Sequence, residues 1–267
     1  MWTAGSLADD LRTLGLAYGD TVLVHSSLRA IGPVNGGCAA VVAAFQCVLG
    51  SEGTLVVPAF TEHNSTTSRA HRAQVRGLTE SQVAAFRAEM PPFDPMRSAA
   101  TTGRLAEEVR TMPGALRSAH PQTSFVAYGA RARAITEGHA ADCHLGEQSP
   151  LRRLVDVSGR VLLIGVGYEA CTVLHLAEYR VPGPPMRRYE CVVQGEAGKN
   201  WWAFESVDLD DNDFPLLGSA LDAVPGMVVT GTFGAARARL LDAGAAVRFA
   251  VQWFVGNRRY PRTDPGD

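Results

Sequence analysis

The 267-residue chain carries almost no net charge: its 25 lysines and arginines nearly balance 27 aspartates and glutamates, leaving −2. The electrostatic footprint of a nucleic-acid partner is therefore missing. No apolar run approaches the roughly 18 residues of a membrane span. The opening Met-Trp-Thr-Ala-Gly-Ser-Leu-Ala-Asp-Asp lacks the basic stretch and apolar core of a secretory leader. The 5 cysteines (Cys38, Cys47, Cys143, Cys171 and Cys191) are odd in number and form no Cys-x-x-Cys pair. That pattern fits reduced thiols in a cytoplasm better than a disulfide framework. There is no Walker-type lysine loop, and Gly165-x-Gly167 lacks the third glycine of a dinucleotide fingerprint. No internal repeat is present. A cytoplasmic protein with a single domain over residues 1–267 is the expectation.

The stretch Gly159 to Glu178 organises the rest. Val161 to Ile164 is an apolar run short enough for a buried strand, and Gly165 and Gly167 suit a tight turn. Helical spacing follows from Tyr168, with Thr172, His175 and Glu178 three apart and Cys171 four before His175. A hydroxyl, an imidazole and a carboxylate on one helix face form a candidate catalytic platform.

Upstream, Ser6 to Leu14 reads as a helix with Ser6 as N-cap. Thr21 to His25 and Thr54 to Phe60 read as buried strands flanking an Ala- and Val-rich helix, Cys38 to Leu49. Strand, helix and strand at this spacing predict a parallel βαβ unit. Residues 64–95, polar and ending in Pro91-Pro92-Phe93-Asp94-Pro95, predict a surface excursion or lid with one helix near Glu80 to Arg87. Helices are expected at Arg104 to Arg110, Ala130 to Thr136 and Leu151 to Val155, with a strand at Ser124 to Tyr128. Downstream, Arg188 to Gln194 and Trp201 to Val207 predict a hairpin. An acidic run, Asp208-Leu209-Asp210-Asp211-Asn212-Asp213, follows it. Ala235 to Asp242 is expected as helix, Val247 to Val255 as a closing strand, and Asn257 to Asp267 as a frayed polar tail. The fold class is α/β: helices around a central mixed, largely parallel sheet with a β-rich C-terminal part.

Three chemistries compete on these residues. His175 can serve as a base if a carboxylate from the acidic run fixes its tautomer. Cys171 with His175 could instead form a hydrolase dyad, although a nucleophile needs an exposed turn. His139, Cys143 and His144 invite zinc, but their spacing matches no common zinc pattern, and no metal is expected.

Together, several segments resemble the aminoglycoside 3-N-acetyltransferase family, the acetyl-CoA-dependent antibiotic acetyltransferases outside the common N-acetyltransferase fold. They are Val24-His25-Ser26-Ser27-Leu28 with Gly32; Gly53 to Thr61; Arg117-Ser118-x-His120-Pro121-x-x-Ser124-Phe125; Gly146-x-x-Ser149-Pro150; Gly165-x-Gly167 through Thr172, His175 and Glu178; and Asp208-Leu209-Asp210-Asp211 with Phe214. The resemblance implies acetyl transfer from acetyl-CoA to an aminocyclitol amine, with His175 as base, Thr172 nearby and Asp208 as its orienting acid. It places Asp210, Glu178, Tyr168, Glu205 and Asp213 on the substrate side, in an acidic region over residues 186–215. Ser26, Ser27, Leu28, Arg29, Val34, Thr102, Gly103 and Arg117 are then expected against CoA. The thioester oxygen would be met by the Thr172 hydroxyl or a backbone N–H near Gly165. The same fold acting on another amine is the nearest alternative. Oligomeric state is open, with a homodimer as one option.

Overall fold

The computed structural model describes residues 1–196 and 198–259. Nine strands lie among them: Thr21–Ser26 (β1), Thr54–Pro58 (β2), Leu116–Arg117 (β3), Phe125–Gly129 (β4), Arg160–Ile164 (β5), Met186–Gly195 (β6), Gly198–Val207 (β7), Val228–Phe233 (β8) and Ala236–Asp242 (β9). Seven form one sheet in the order β3-β4-β2-β1-β5-β9-β8, and β6 pairs with β7 as a separate hairpin. The sheet is mixed, but parallel pairing is confined to its centre. β1 runs parallel to β2 and β5, whereas β2–β4, β3–β4, β5–β9 and β8–β9 are antiparallel. The expectation of a largely parallel sheet is corrected to that extent.

Period-2 alternation explains why the central strands are apolar throughout. Val22, Val24, Leu55, Val57, Leu162 and Ile164 point into one core, and Leu23, Val56, Val161 and Leu163 into the other. The helices are Ala4–Leu14 (α1), Leu28–Ile31 (α2), Gly37–Leu49 (α3), Arg69–Gln74 (α4), Glu80–Glu89 (α5), Arg104–Arg110 (α6), Ala132–Thr136 (α7), Pro150–Asp156 (α8), His175–Glu178 (α9), Phe214–Asp222 (α10) and Ala243–Asn257 (α11). Helices α1, α3 and α6 cover the first face through Leu7, Phe45 and Val109. Helices α7, α8, α10 and α11 cover the second through Ile135, Leu154, Leu217 and Phe254.

Several boundaries differ from expectation, each for a local reason. Helix α1 starts earlier, because Thr3 rather than Ser6 is its N-cap. Ser6 is the reciprocal partner of a capping box. Ala235 to Asp242 is a strand, not a helix: Ala236, Ala238 and Leu240 turn into one core while Arg237 is exposed, Arg239 lies over the Tyr168 ring and Leu241 enters the other core, and that period of two outweighs the helix propensity of Ala, Arg and Leu. Val247 to Val255 belongs to α11. Asp242 caps it by accepting the Ala245 N–H at 2.7 Å, and Ala243, Ala246, Val247, Ala250 and Phe254 form its buried stripe. The excursion over residues 64–95 holds two helices rather than one. It is stitched to β6 by Thr66 N–H to Glu190 O and Phe93 N–H to Val192 O, both 3.0 Å. Of the expected frayed tail, residues 260–267 lie outside the described residues, while Arg258 is firmly anchored.

Candidate active site

The parallel centre sets the position of the site. Strands β1, β2 and β5 bring their C-terminal ends to one rim of the sheet, where an open α/β sheet offers a crevice. His25 and Ser26 end β1, Pro58 ends β2, and the segment from Gly165 to Glu178 leaves β5. That segment is not one α-helix. Tyr168–Ala170 and Thr172–Leu174 are 3₁₀ turns, and only His175–Glu178 is α-helical. In a 3₁₀ turn, side chains three apart eclipse one another. Thr172 and His175 therefore reach the same cleft, while Cys171 turns into the core at 0% exposure.

His175 is held by Glu178. The Nδ1–Oε2 distance is 2.6 Å, and the carboxylate is 2% exposed. Glu178 Oε1 accepts the Asp210 backbone N–H at 3.1 Å and an N–H of Arg258 at 2.5 Å. A carboxylate that is wholly an acceptor fixes the proton on Nδ1, which leaves a lone pair on Nε2. Phe214 packs against the ring, centroids 4.7 Å apart.

Two clefts meet at this ring. The first, about 360 Å³, is lined by His25, Ser26, Pro58, Thr102, Thr172 and His175. The second, about 260 Å³, lies between the excursion and the hairpin and is lined by Arg69, Arg72, Gln122, Arg187, Tyr189 and His175. Phe60, Glu62, His175 and Asp211 line both. Two compartments sharing one oriented imidazole can bring two molecules together beside a single ring.

Several residues expected at the site are placed elsewhere. Asp208 does not orient the ring; its carboxylate faces Arg187 at 3.5 Å, and Glu178 already occupies Nδ1 from the same turn of backbone. Tyr168 is buried under α10, donating to Asp222 at 2.6 Å, and lines neither cleft. Glu205 faces outward on β7 opposite Arg188, and it too lines neither cleft. Asp213 is paired with Arg258, and the Asp210 carboxylate with Asn212. With Glu178 they border a separate cleft behind the imidazole.

Of the residues expected against CoA, Ser26 and Thr102 line the first cleft. Ser27 opens α2, Gly103 opens α6, Leu28 and Val34 pack on the core, and Arg29 is exposed. Arg117 is not free for phosphate. It donates to Ala59 O at 2.6 Å and Ser124 Oγ at 2.9 Å, also bonds Ser98 O, and lies over Phe93 at 5.2 Å. Burial and Arg110 bring it down to about 10.

The glycine turn serves packing rather than ligand approach. Gly165 has φ +63, and a Cβ there would lie 2.3 Å from the Ala30 Cβ. Its N–H donates to Arg237 O at 2.8 Å, and that of Gly167 to Glu169 Oε1 at 3.0 Å, so neither is left for an oxyanion. Burial pushes the Cys171 thiol up to about 12, which removes the Cys–His dyad. His139 and His144 are buried in a cluster of mutually tilted rings with His120, and no metal-holding group of His, Cys, Asp and Glu is found among the described residues.

Sequence reasoning passed over Glu62, Asp211 and His25 as site-lining residues, and Arg258. His25 Nε2 lies 3.3 Å from Thr172 Oγ1, and burial followed by the charge of His175 lowers it to about 3, so it is neutral. The strand-end motif His25-Ser26-Ser27 held the signal for it. Nothing local marked Arg258, which is 80 residues from Glu178. No helix among the described residues is long and apolar enough to cross a membrane.

An α/β crevice with two clefts converging on a carboxylate-held imidazole defines a group-transfer site for two substrates. Residues 23–255 match the family model described as aminoglycoside 3-N-acetyltransferase, and the chain belongs to that family of acyltransferases. It is 37% identical to aminoglycoside N(3)-acetyltransferase VII of Streptomyces paromomycinus, over 97% of this chain and 94% of that one. Among solved structures, the YokD protein of Bacillus subtilis superposes with a TM-score of 0.88 at 34% identity, covering 96% of this chain and 100% of that one. AAC-IIIb, solved as a binary complex with CoASH, gives 0.83 at 33%, covering 98% and 99%.

Proposed function

We propose that the chain transfers acetyl from acetyl-CoA to the 3-amino group of an aminoglycoside aminocyclitol by direct attack. The observation behind this reading is that His175 lines both clefts while Glu178 holds its far nitrogen. Acetyl-CoA occupies the first cleft, its thioester near Thr172, and the acceptor enters the second beneath the excursion. The relatives' names and the CoASH complex of AAC-IIIb support these partners.

The reaction needs an amine with a lone pair. His175 Nε2 takes a proton from the acceptor nitrogen as that nitrogen bonds to the thioester carbon. The Glu178 carboxylate stabilises the imidazolium that results. Negative charge builds on the thioester oxygen, within reach of the Thr172 hydroxyl when His25 Nε2–H donates to Thr172 and frees its proton. The C–S bond then breaks, and the departing thiolate recovers the proton from His175. Glu62, at the meeting of the clefts, draws in a cationic acceptor, while Asp211 beside it is paired with Arg69.

A second reading, the same transfer to another amine, draws on Arg69, Arg72 and Arg187. Arg69 is paired with Asp211 and Arg187 with Asp208, so with Arg72 they offset the carboxylates that a polycation would prefer in the acceptor cleft. One CoA-release panel tests both readings, using aminoglycosides with and without a 3-amine. Turnover limited to those that have it supports the first reading, and turnover only on simpler amines supports the second. His175→Ala should lose at least about 1,000-fold in kcat, with acetyl-CoA binding by calorimetry retained. Near-normal turnover in that variant removes His175 as base.

A further inference from the structure

Glu178 is a buried carboxylate, and burying such a group without a counter-charge is costly enough that it would take up a proton instead. Its counter-charge comes from the far end of the chain. Arg258, one residue past α11, places Nη1 at 2.5 Å from Glu178 Oε1. The rest of its guanidinium is fixed from three sides. Nε and Nη2 clamp the two oxygens of Asp213 at 2.7 and 2.5 Å, Nη2 also donates to the Asp210 carbonyl at 2.7 Å, and the plane lies 3.8 Å over the Phe254 ring. Phe254 stacks on Phe214, which packs against the His175 imidazole. One arginine thus touches the acid, and through two rings backs the base.

We propose that Arg258 is a positioning residue for the reaction: it holds the Glu178 carboxylate in register, so that Glu178 can keep the His175 proton on Nδ1. This rests on the reading of His175 as base. Arg258 lines neither cleft that meets at the imidazole, so it acts through Glu178 and the Phe254–Phe214 stack rather than on a bound molecule.

The sign of its effect follows from charge. Removing the cation makes both Glu178 and His175 bind a proton more readily, and each protonation silences the base. The acidic limb of the kcat/KM profile then moves to higher pH. Removing the Asp213 charge leaves Arg258 less neutralised and moves that limb to lower pH. The other charged or titratable groups around the pair are His25 from β1, His144 from the loop before α8, Arg187 and Tyr189 from β6, Arg69 and Arg72 from α4, Glu62, Glu169 and Asp211 at the clefts, and Asp208, Asp210 and Arg259 behind them. All of these stay the same in both variants.

The test is a pH–rate profile of the full chain with acetyl-CoA and an accepted aminoglycoside. Arg258→Met is expected to lower kcat about 10-fold at neutral pH and move the acidic limb up by about one unit. Arg258→Lys, which keeps the charge but not the bidentate clamp, should recover most of the limb position. Asp213→Asn should move it the other way and remains informative if the methionine variant does not fold. KM for acetyl-CoA should stay within about twofold throughout. An arginine that merely braces α11 would lower kcat equally at every pH and leave the limb in place, and that result overturns the proposal. The outcome is distinct from failure of the underlying reading, in which His175→Ala itself turns over normally.

Discussion

Replacing Glu178 by glutamine keeps its size and removes one charge, and the structure says what the new amide must do. The carboxylate accepts from His175 on one oxygen, and from Asp210 N–H and Arg258 on the other. Glutamine has a single oxygen. Turned toward Arg258 and the Asp210 N–H, that oxygen satisfies a cation and an amide, and the NH₂ then faces His175 Nδ1. The reverse orientation sets the NH₂ against a guanidinium at 2.5 Å, so the first wins. A donor facing Nδ1 forces the imidazole proton to Nε2, the nitrogen needed as base. The tautomer is therefore wrong in nearly every molecule. In the serine-protease triad the corresponding Asp→Asn change drops kcat about 10⁴-fold with geometry intact. Here the loss should be about 10³- to 10⁴-fold, or about 4 to 5.5 kcal/mol of barrier.

The assay is steady-state CoA release followed with a thiol reagent, alongside calorimetry of acetyl-CoA binding and a melting curve. Glu178→Gln should bind acetyl-CoA as tightly as the parent, because Glu178 does not line the first cleft. Turnover within about 10-fold of the parent, in a protein that melts normally, would refute the tautomer argument and return the orienting role to another acid.

Asp208→Asn is the matched control: its carboxylate meets only Arg187, half in solvent, so kcat should change by no more than about twofold in the same assay. Arg117→Ala should cost about 2 to 3 kcal/mol in urea unfolding, because three carbonyl or hydroxyl partners lose a buried donor. KM for acetyl-CoA should barely move, and a large rise with unchanged stability would restore Arg117 as a phosphate contact. Acid should unfold the protein early. Burial lowers His25 to about 3, His139 to about 4 and His144 to about 3, and drives His120 well down. The unfolded chain takes up these protons near pH 6.5 and the folded chain does not. Stability is thus fully present above about 6.5 and falls as pH drops toward 4, by up to about 1.4 kcal/mol per unit for each histidine. A urea midpoint that is flat from pH 7 to 4.5 would show that these rings are not buried neutral.

What could be seen in the sequence, and what could not, divides by the distance over which each feature is determined. The central strands were legible because β1, β2 and β5 are buried on both faces and therefore carry short unbroken apolar runs, Val22–Val24, Leu55–Val57 and Val161–Ile164. The helices at Arg104–Arg110 and Gly37–Leu49 were legible for similar local reasons. The C-terminal elements were exchanged because Ala, Arg, Leu and Val serve either structure. Whether 236–242 alternates and 243–257 repeats at three to four is decided by pairing with β5 and by the Asp242 cap. At the site, His175 stood out through a spacing of three, and so did its true partner. Glu178 was set among substrate contacts because the acidic run drew attention to Asp208. His175 and Glu178 lie three apart within the single α-helical turn α9, where i and i+3 side chains are neighbours, and that favours the near carboxylate over one thirty residues on. Arg258 could not be seen at all. An arginine in a polar tail looks like any other until the fold delivers it beside a buried glutamate. The site is thus encoded in two ways: locally, in Thr172-x-x-His175-x-x-Glu178, and globally, in the packing of α11, which delivers Arg258 to the Glu178 carboxylate.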